Sequence, residues 1–381
     1  MSGPSDRAPS GRAPGRSQAG PSPLGGPADV PLGGPADVPI SRGAPSGWTN
    51  DRERGNLWAL RLMRWIAVAA GRPVARLALH PIALYFLLFN VKARRASLNY
   101  LARALGRRAG WVDAYRHVHC FASTILDRVY FLQDRFEQFE VTDHGGAALH
   151  ALLAQGEGVM LVGAHIGSFE ALRATAHGRG VPIAMLMYEE NARLINATLA
   201  AVAPNVQFHT IALGKPGAML QLRRWLDDGG LAGLLADRTL PGHSRGIAGP
   251  PQDSASPSGG GRREAKVGGP VSRSRTLWID FLGQPARFSD GPFRLAALLR
   301  RRVVFMAGLY DGGNRYALRF VELADFRASA DTAGLDLDTR VHGAMQRYVT
   351  LLEALCRESP YNWFNFFDFW AIDAADRPVP H

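Results

Sequence analysis

The sequence of 381 residues has only two cysteines, Cys120 and Cys356, and they lie far apart. Neither sits in a spacing typical of zinc ligands, and two cysteines are too few for a disulfide framework. We therefore predict no metal site, and a reducing, cytoplasmic-side location fits best. The stretch 1–47 also lacks the apolar segment of a secretory signal, so no signal is expected.

Several motifs of known chemistry are missing. There is no P-loop and no dinucleotide-binding glycine pattern, so we expect no nucleotide cofactor. The absence of a Gly-x-Ser-x-Gly elbow disfavours a serine hydrolase, although Ser168, close to His165, is a weaker candidate nucleophile. Zinc-finger spacings, a basic zipper and RNA-binding aromatic motifs are absent as well, so we predict no nucleic-acid partner.

Acidic residues are fewer than basic ones. Lysine and arginine number 44 against 33 aspartates and glutamates, which gives a formal net charge of +11. This excess suits an anionic membrane surface, an acidic carrier protein or a phosphorylated substrate. Because 46% of the residues are hydrophobic, the chain can still bury a substantial core.

Composition divides the chain into three regions. Residues 1–47 are rich in Pro, Gly, Ser and Ala, which is typical of disorder. Residues 48–140 are predicted to be a helical, membrane-associated region that includes the almost wholly apolar stretch 77–91. Residues 141–375 are predicted to be an α/β domain, interrupted at 243–275 by a Gly-, Pro-, Ser- and Arg-rich insertion that we expect to be disordered.

The apolar stretch 77–91 has two interpretations. Its uninterrupted part, 81–89, is shorter than the ~20 residues needed to span a bilayer, so it would lie in the membrane interface or re-enter it. Flanking Arg and Trp residues favour this interpretation, since their side chains suit the headgroup region. The alternative is a pair of buried core helices in a soluble protein.

Strand and helix patterns alternate in the second half of the chain. Strands are predicted at 159–162, 181–187, 206–211, 231–236 and 303–309, and helices at 97–140, 143–156, 191–203, 216–226, 291–300 and 338–357. Residues 316–321 are predicted to pair antiparallel to 303–309 around the turn 311–314. The predicted fold is α/β, with a mixed, mostly parallel sheet flanked by helices and an N-terminal membrane-associated helical segment.

One stretch carries most of the chemical signal. The apolar run Val159–Val162 ends at Gly163, and His165 follows where open α/β sheets bind ligands. Glu170 lies five residues later, in the first turn of a helix that Ser168 could cap. Imidazole can take a proton from a hydroxyl or amine, and a carboxylate on its other nitrogen would fix the tautomer. The alternative is a histidine at a strand end, capped by Glu170 and without chemistry.

These residues belong to an ordered set of motifs. The set is Ala164-His165-Ile166-Gly167-Ser168-Phe169-Glu170, then Ala236-Asp237-Arg238, then Phe281-Leu282-Gly283-Gln284-Pro285-Ala286 with Gly291-Pro292 downstream. Over roughly residues 50–375, the chain resembles the lysophospholipid acyltransferase superfamily, and within it the bacterial lipid A biosynthesis (lauroyl/myristoyl) acyltransferases. Its segments 79–99 and 360–370 are more similar to a sub-branch of predicted acyltransferases found with glycolipid or aryl-polyene pathways.

The resemblance implies an acyltransferase that forms no covalent enzyme intermediate. His165 would be the general base and Glu170 its orienting carboxylate. The second motif implies that Arg238 binds phosphate or stabilises an oxyanion, and the third lies near the acyl or substrate groove. The implied substrate-binding residues are Asp237, Arg238, Gly283, Pro285 and Gly291.

The predicted reaction moves a fatty acyl group from a thioester of acyl carrier protein or coenzyme A to a hydroxyl, or an amine, of a glycolipid or lipid A-like acceptor. No resident cofactor is expected, and the expected partners are acyl carrier protein, the lipid acceptor and the membrane. The predicted location is the cytoplasmic face of a bacterial inner membrane. Three alternatives stay open: a thioesterase-like hydrolase using the same pair, a catalytically silent membrane scaffold, and a soluble carrier-binding module.

Overall fold

The structure is a computed structural model that describes residues 53–172, 182–188, 209–238, 275–327 and 336–371. Three predictions lie outside the described residues: the disordered tail 1–47, the helix 191–203 and, apart from its last residue, the insertion 243–275. Residues 52–381 group into one compact unit.

The described residues form seven helices and nine strands. The helices are α1 (Glu53–Phe89), α2 (Val91–Leu105), α3 (Trp111–Phe131), α4 (Gly146–Leu153), α5 (Ala218–Asp227), α6 (Gly291–Leu298) and α7 (Leu337–Glu358). The strands are β1 (Glu140–His144), β2 (Val159–Gly163), β3 (Ile183–Tyr188), β4 (His209–Leu213), β5 (Leu231–Leu235), β6 (Thr276–Phe281), β7 (Gln284–Ser289), β8 (Arg302–Tyr310) and β9 (Arg315–Asp325). Two 3₁₀ turns cover Phe136–Gln138 and Glu170–Leu172.

Seven strands form one sheet in the order β1-β9-β8-β2-β5-β3-β4. The pair β8–β9 is antiparallel, as predicted for the turn 311–314, and every other neighbouring pair is parallel. This confirms the α/β prediction of a mixed, mostly parallel sheet flanked by helices. Strands β6 and β7 form a separate antiparallel hairpin.

Strand β2 lies in the middle of the sheet and is buried along its whole length. Met160 and Val162 face a core formed with α5, α6 and α7. Val159 and Leu161 face a second core, formed with α1 and α3. Helices thus cover both faces, which explains why β2 is a continuous apolar run rather than an alternating one.

The predicted helix over 97–140 is wrong in its extent. The structure has two helices here, α2 and α3, which are separated by a turn that begins at Gly106, a residue in the left-handed region. Helix α3 ends at Phe131. Strand β1 was not predicted, because it lies at the sheet edge and most of its residues are exposed, so it lacks an apolar pattern. The predicted helix over 143–156 is shorter, since α4 begins only after β1 ends.

Helix α1 is broken at Gly71, whose φ of 79° and ψ of 169° are not helical. Within the described residues, one helical segment, Gly71–Phe89, is long and apolar enough to cross a membrane by length and composition alone. A core helix can pass the same test, so membrane association stays a prediction. The segment is anchored at its start, where Arg72 forms two hydrogen bonds of 2.8 and 2.9 Å with the buried carboxylate of Asp127 on α3.

The chain leaving β2 makes a close turn against β8. Gly167 has a φ of +62°, and its amide donates to the carbonyl of Asn362 at 2.9 Å. The amide of Ser168 donates to the carbonyl of Gly308 at 2.7 Å. A Cβ on Gly167 would overlap that carbonyl. Both the backbone conformation and the space therefore require glycine here.

Replacing Gly167 with alanine tests how tightly this turn is packed. Gly106 is the matched control, because its φ is +63° and a Cβ there would meet nothing within 4 Å. The left-handed conformation costs alanine ~1–2 kcal/mol at either position. Overlap with Gly308 should raise the loss for Gly167→Ala to about 3 kcal/mol or more, measured by urea unfolding. Equal losses in the two variants would contradict the close packing.

Candidate active site

The carboxyl ends of β2 and β5 place two side chains next to each other. The strands are parallel neighbours, and Gly163 is the register partner of Leu235. The ladder continues for one more step, since the amide of Ala236 donates to the carbonyl of Gly163 at 3.0 Å. His165 and Asp237 each follow their strand end by two residues, and so they meet at the edge where α/β sheets bind ligands.

His165 and Asp237 form a hydrogen-bonded dyad. Nδ1 of His165 lies 2.8 Å from Oδ1 of Asp237, and the backbone amide of His165 donates to Oδ2 at 3.0 Å. A third donor, the indole Nε1 of Trp363, reaches Oδ2 at 2.9 Å. The carboxylate of Asp237 is fully buried, whereas 33% of the His165 side chain is exposed. The base is therefore accessible while its partner is shielded from solvent.

The charge state of Asp237 follows from its donors. Burial acts to raise the pKa of this carboxyl, but the charge and hydrogen bonds of His165, together with the nearby Arg238, lower the pKa to about 2. An ionised carboxylate only accepts hydrogen bonds, so Nδ1 of His165 carries the proton. Nε2, the other ring nitrogen, bonds to no other described residue.

Glu170 does not bond to His165 in the structure, which corrects the expected role of this carboxylate. Its Oε1 lies 2.7 Å from Nε of Arg128 on α3, and its Oε2 accepts from the Ser168 hydroxyl at 3.2 Å. The physical reason is the turn at Gly167, which directs the following residues along β8 towards α3. Glu170 thus ties the loop to a helix, and Asp237 takes the place beside the imidazole.

Ser168 is buried and acts as a cap rather than as an exposed nucleophile. Its hydroxyl oxygen accepts from the amide of Ala171 at 3.3 Å, at the start of the 3₁₀ turn Glu170–Leu172. This agrees with the expected capping role. Both contacts of the hydroxyl are made within the loop, so Ser168 is hydrogen-bonded away from the His165 ring.

Arg238 lies beside the dyad, at the end of the second motif. Its side chain is exposed, Nη2 donates to the carbonyl of Phe364 at 3.3 Å, and the guanidinium lies 5.1 Å from the ring centre of Phe367. A cation in this position can bind an anionic group or a polarised carbonyl close to His165. Asp237 and Arg238 therefore lie beside His165, with Asp237 hydrogen-bonded to the imidazole. A role of either residue in substrate binding stays a prediction.

The third motif lies apart from the dyad. Gly283 and Pro285 are exposed in the β6–β7 hairpin, where Gly283 has a φ of +77°, and Gly291 begins α6. Among the described residues, none of the three forms a hydrogen bond with His165 or Asp237. The connection is indirect, through Phe281 at the end of β6, whose ring lies 5.3 Å from that of Trp363. Their role in substrate binding stays a prediction.

The chain end supplies functional contacts that the sequence did not reveal. The residues 362–364 run antiparallel to the His165 loop, with Ile166 opposite Trp363, and the amide of Phe364 donates to the carbonyl of His165 at 2.8 Å. Asn362, Trp363 and Phe364 are all buried. This part of the aromatic ending therefore belongs to the core.

The partnership of Asp237 with His165 had a partial signal in the sequence. Each residue closely follows a predicted strand, 159–162 or 231–236, and the carboxyl ends of parallel strands lie at one edge of a sheet. The sequence did not show that these two strands are neighbours. His117 on α3 is buried, and its two ring nitrogens bond to the Ser97 hydroxyl and to the backbone carbonyl of Trp363. Burial lowers its pKa to about 4.

No model of a known protein family matches the sequence, and no curated protein matches it significantly. The resemblance to acyltransferases thus remains an expectation.

Among the described residues, no group of three or more His, Cys, Asp or Glu side chains could hold a metal ion.

The low pKa of Asp237 has a consequence for stability. The group is ionised in the folded protein down to about pH 2, while its ordinary pKa is 3.8. Its ionised form therefore stabilises the fold by ~2 kcal/mol above about pH 4, and this contribution is lost as the pH falls towards 2. We expect the difference in unfolding free energy between wild type and Asp237→Asn to shrink over that interval in urea titrations.

The exposed Asp280 on β6 provides the control, since Asp280→Asn should give a small difference at every pH. A difference for Asp237→Asn that stays constant from pH 6 to pH 2.5 would contradict the assignment of an ionised, hydrogen-bonded carboxylate.

Proposed function

We propose that this protein is an acyltransferase in which His165 is the general base and Asp237 orients it. The observation that carries the proposal is the dyad itself, with a buried ionised carboxylate on Nδ1 and an accessible Nε2. Nε2 would take the proton from an acceptor hydroxyl or amine as the oxygen or nitrogen attacks the carbonyl carbon of an acyl thioester. The C–S bond of the tetrahedral intermediate would then break, and Nε2 would return the proton to the departing thiolate, which leaves as the thiol. Asp237 would fix the tautomer and stabilise the imidazolium that forms.

The donor would be an acyl thioester, because a thioester is already activated. It needs a deprotonated acceptor and a polarised carbonyl, and the site offers His165 for the first and Arg238 for the second. Arg238 is charged, exposed and adjacent to Asp237. The carrier would be acyl carrier protein or coenzyme A, and the acceptor a glycolipid or related amphiphile. The motif resemblance supports the same reaction.

The reaction can be tested with labelled acyl carrier protein and a membrane lipid extract. We expect His165→Ala to lose at least ~10²-fold in transfer, because the general base is removed. Asp237→Asn should also lose at least ~10²-fold, because an amide cannot accept from all three donors and favours the wrong tautomer. Glu170→Gln is the matched carboxylate control, and a loss below ~10-fold is expected there.

Four outcomes would change the assignment. Full activity of His165→Ala would refute general-base catalysis by this residue. A loss in Glu170→Gln that exceeds the loss in Asp237→Asn would return the orienting role to Glu170. Release of free fatty acid by wild type, with no labelled lipid formed, would favour the thioesterase-like hydrolase, and no turnover at all would favour a scaffold.

We also propose that α1 holds the protein on an anionic membrane surface. An apolar patch on one face of this helix consists of Leu77, Leu84, Tyr85, Leu88 and Phe89, each 48–70% exposed. Only 22% of the apolar segment is buried, unlike a core helix. An exposed apolar face of this size on a helix is typical of interfacial membrane binding.

Basic and aromatic residues lie next to the apolar patch. Arg94 donates to the carbonyls of Leu87 and Leu88, and its guanidinium lies 4.3 Å from the ring centre of the exposed Trp111. Lys92 and Arg95 follow on α2, are exposed, and form no ion pair with another described residue. Such cations suit lipid headgroups, and the aromatic ring suits the interfacial zone.

The patch can be tested by cosedimentation with vesicles that contain phosphatidylglycerol. The double variant Tyr85→Ser and Phe89→Ser should bind at least ~10-fold more weakly, because two exposed aromatic side chains no longer enter the interface. Leu220→Ser with Leu298→Ser is the control, since these residues are 53% and 49% exposed on α5 and α6. Equal binding by the two double variants would refute the assignment.

A further inference from the structure

We propose that Trp363 is a positioning residue for the dyad. Its indole N–H orients the carboxylate of Asp237 and weakens the attraction of that carboxylate for the proton of His165. The proposal rests on the proposed role of His165 as general base. It adds a third residue, from the far end of the chain, to the two that the strand ends supply.

The two oxygens of Asp237 have different partners. Oδ2 accepts from the backbone amide of His165 at 3.0 Å and from Nε1 of Trp363 at 2.9 Å. Oδ1 is left for Nδ1 of the His165 ring at 2.8 Å. Two donors on Oδ2 fix the plane of the carboxylate, so that Oδ1 points at the imidazole. Because Asp237 is fully buried, each of these donors weighs more than it would in water.

Trp363 is itself held in place by several contacts. Its side chain is only 1% exposed, and its ring lies 4.9 Å from Tyr100, 5.3 Å from Phe281 and 4.9 Å from Phe369, centre to centre. Its backbone carbonyl accepts from Nε2 of His117 at 2.9 Å. The indole therefore reaches Asp237 from a fixed frame, as expected of a residue that sets the geometry of another.

Loss of the indole donor has a defined chemical effect. The negative charge of Asp237 would then be compensated mainly by His165, so the protonated imidazolium would be favoured more strongly. A base that holds its proton at higher pH is in the active, neutral form over a narrower range. The carboxylate would also be free to rotate, which lowers the fraction of correctly aligned His165 rings.

The other titratable groups facing Asp237 do not titrate in the same range. Arg238 remains a cation. Tyr348 and Cys356 of α7 are buried. Burial raises the pKa of each group well above the ordinary value for that group, so both stay neutral. A shift in the acid limb of the pH profile can therefore be assigned to the dyad.

The test replaces the indole N–H with little other change. Trp363→Phe removes the donor, and β-(3-benzothienyl)alanine at position 363 replaces the N–H by sulfur while keeping the ring size. Trp370→Phe is the matched control, because Trp370 packs in the same aromatic cluster and its Nε1 has no hydrogen-bond partner among the described residues. All variants are assayed for acyl transfer from labelled acyl carrier protein, at a fixed fraction folded.

We expect both replacements at 363 to lower kcat by ~10-fold with KM changed by less than ~2-fold, as for loss of an orienting bond to a charged group. The acid limb of kcat/KM should move up by ~0.5 to 1 pH unit. The titration midpoint of the His165 ring, followed by ¹⁵N NMR and assigned by comparison with His165→Ala, should move by the same amount. Trp370→Phe should leave all three unchanged.

The NMR readout separates this proposal from the proposed function. If the midpoint in the benzothienyl variant equals that of wild type, the positioning role of Trp363 is refuted, whatever the activity. If the midpoint moves but His165→Ala keeps full activity, Trp363 positions the dyad and the general-base assignment fails instead. A loss of kcat shared by Trp370→Phe, without a shift in the midpoint, would show that Trp363 is only structural.

Discussion

The site depends on one buried negative charge. The carboxylate of Asp237 is out of contact with solvent, and a buried carboxylate is tolerated only where donors replace its water. Three N–H groups do so here: two from His165 and one from Trp363. The donors come from the loop after β2 and from residues 362–364, and the carboxylate itself follows β5. Three separate segments of the chain therefore meet at this charge.

Further hydrogen bonds hold the His165 loop in place. The residues 362–364 pair with the His165 loop, and the side chain of Asn362 binds both the amide and the carbonyl of Tyr310 at the end of β8. The loop is thus enclosed by β8 on one side and the chain end on the other. A loop held in this way has little freedom to move, so the proposed general base would have its geometry prepared before a substrate arrives.

Much of the fold followed from the sequence, because buried parallel strands such as β2 and β5 are apolar runs bounded by glycine or acid residues. His165 was selected as a candidate base for the same reason, since it follows a clear strand. Asp237 was taken as a substrate ligand because pairing between strands distant in sequence depends on register, which local patterns do not specify. Glu170 was assigned to His165 by proximity along the chain, and the turn at Gly167 separates the two. Edge strand β1 was not predicted because it is exposed. The contact of Trp363 with Asp237 was not predicted because the two residues are 126 positions apart in the sequence.

Helix α3 contacts residues next to the apolar patch and residues of the His165 loop. Trp111 at its start lies beside the apolar patch, His117 bonds to the carbonyl of Trp363, and Arg128 near its end pairs with Glu170 of the His165 loop. From Trp111 to Arg128 a continuous helix rises ~26 Å at 1.5 Å per residue. Because the hydrogen bonds within the helix fix its rise per residue, α3 sets the spacing between its contacts with the apolar patch and with the His165 loop. Residues that contact the apolar patch and the His165 loop therefore belong to one continuous helix, with no break in the backbone between them.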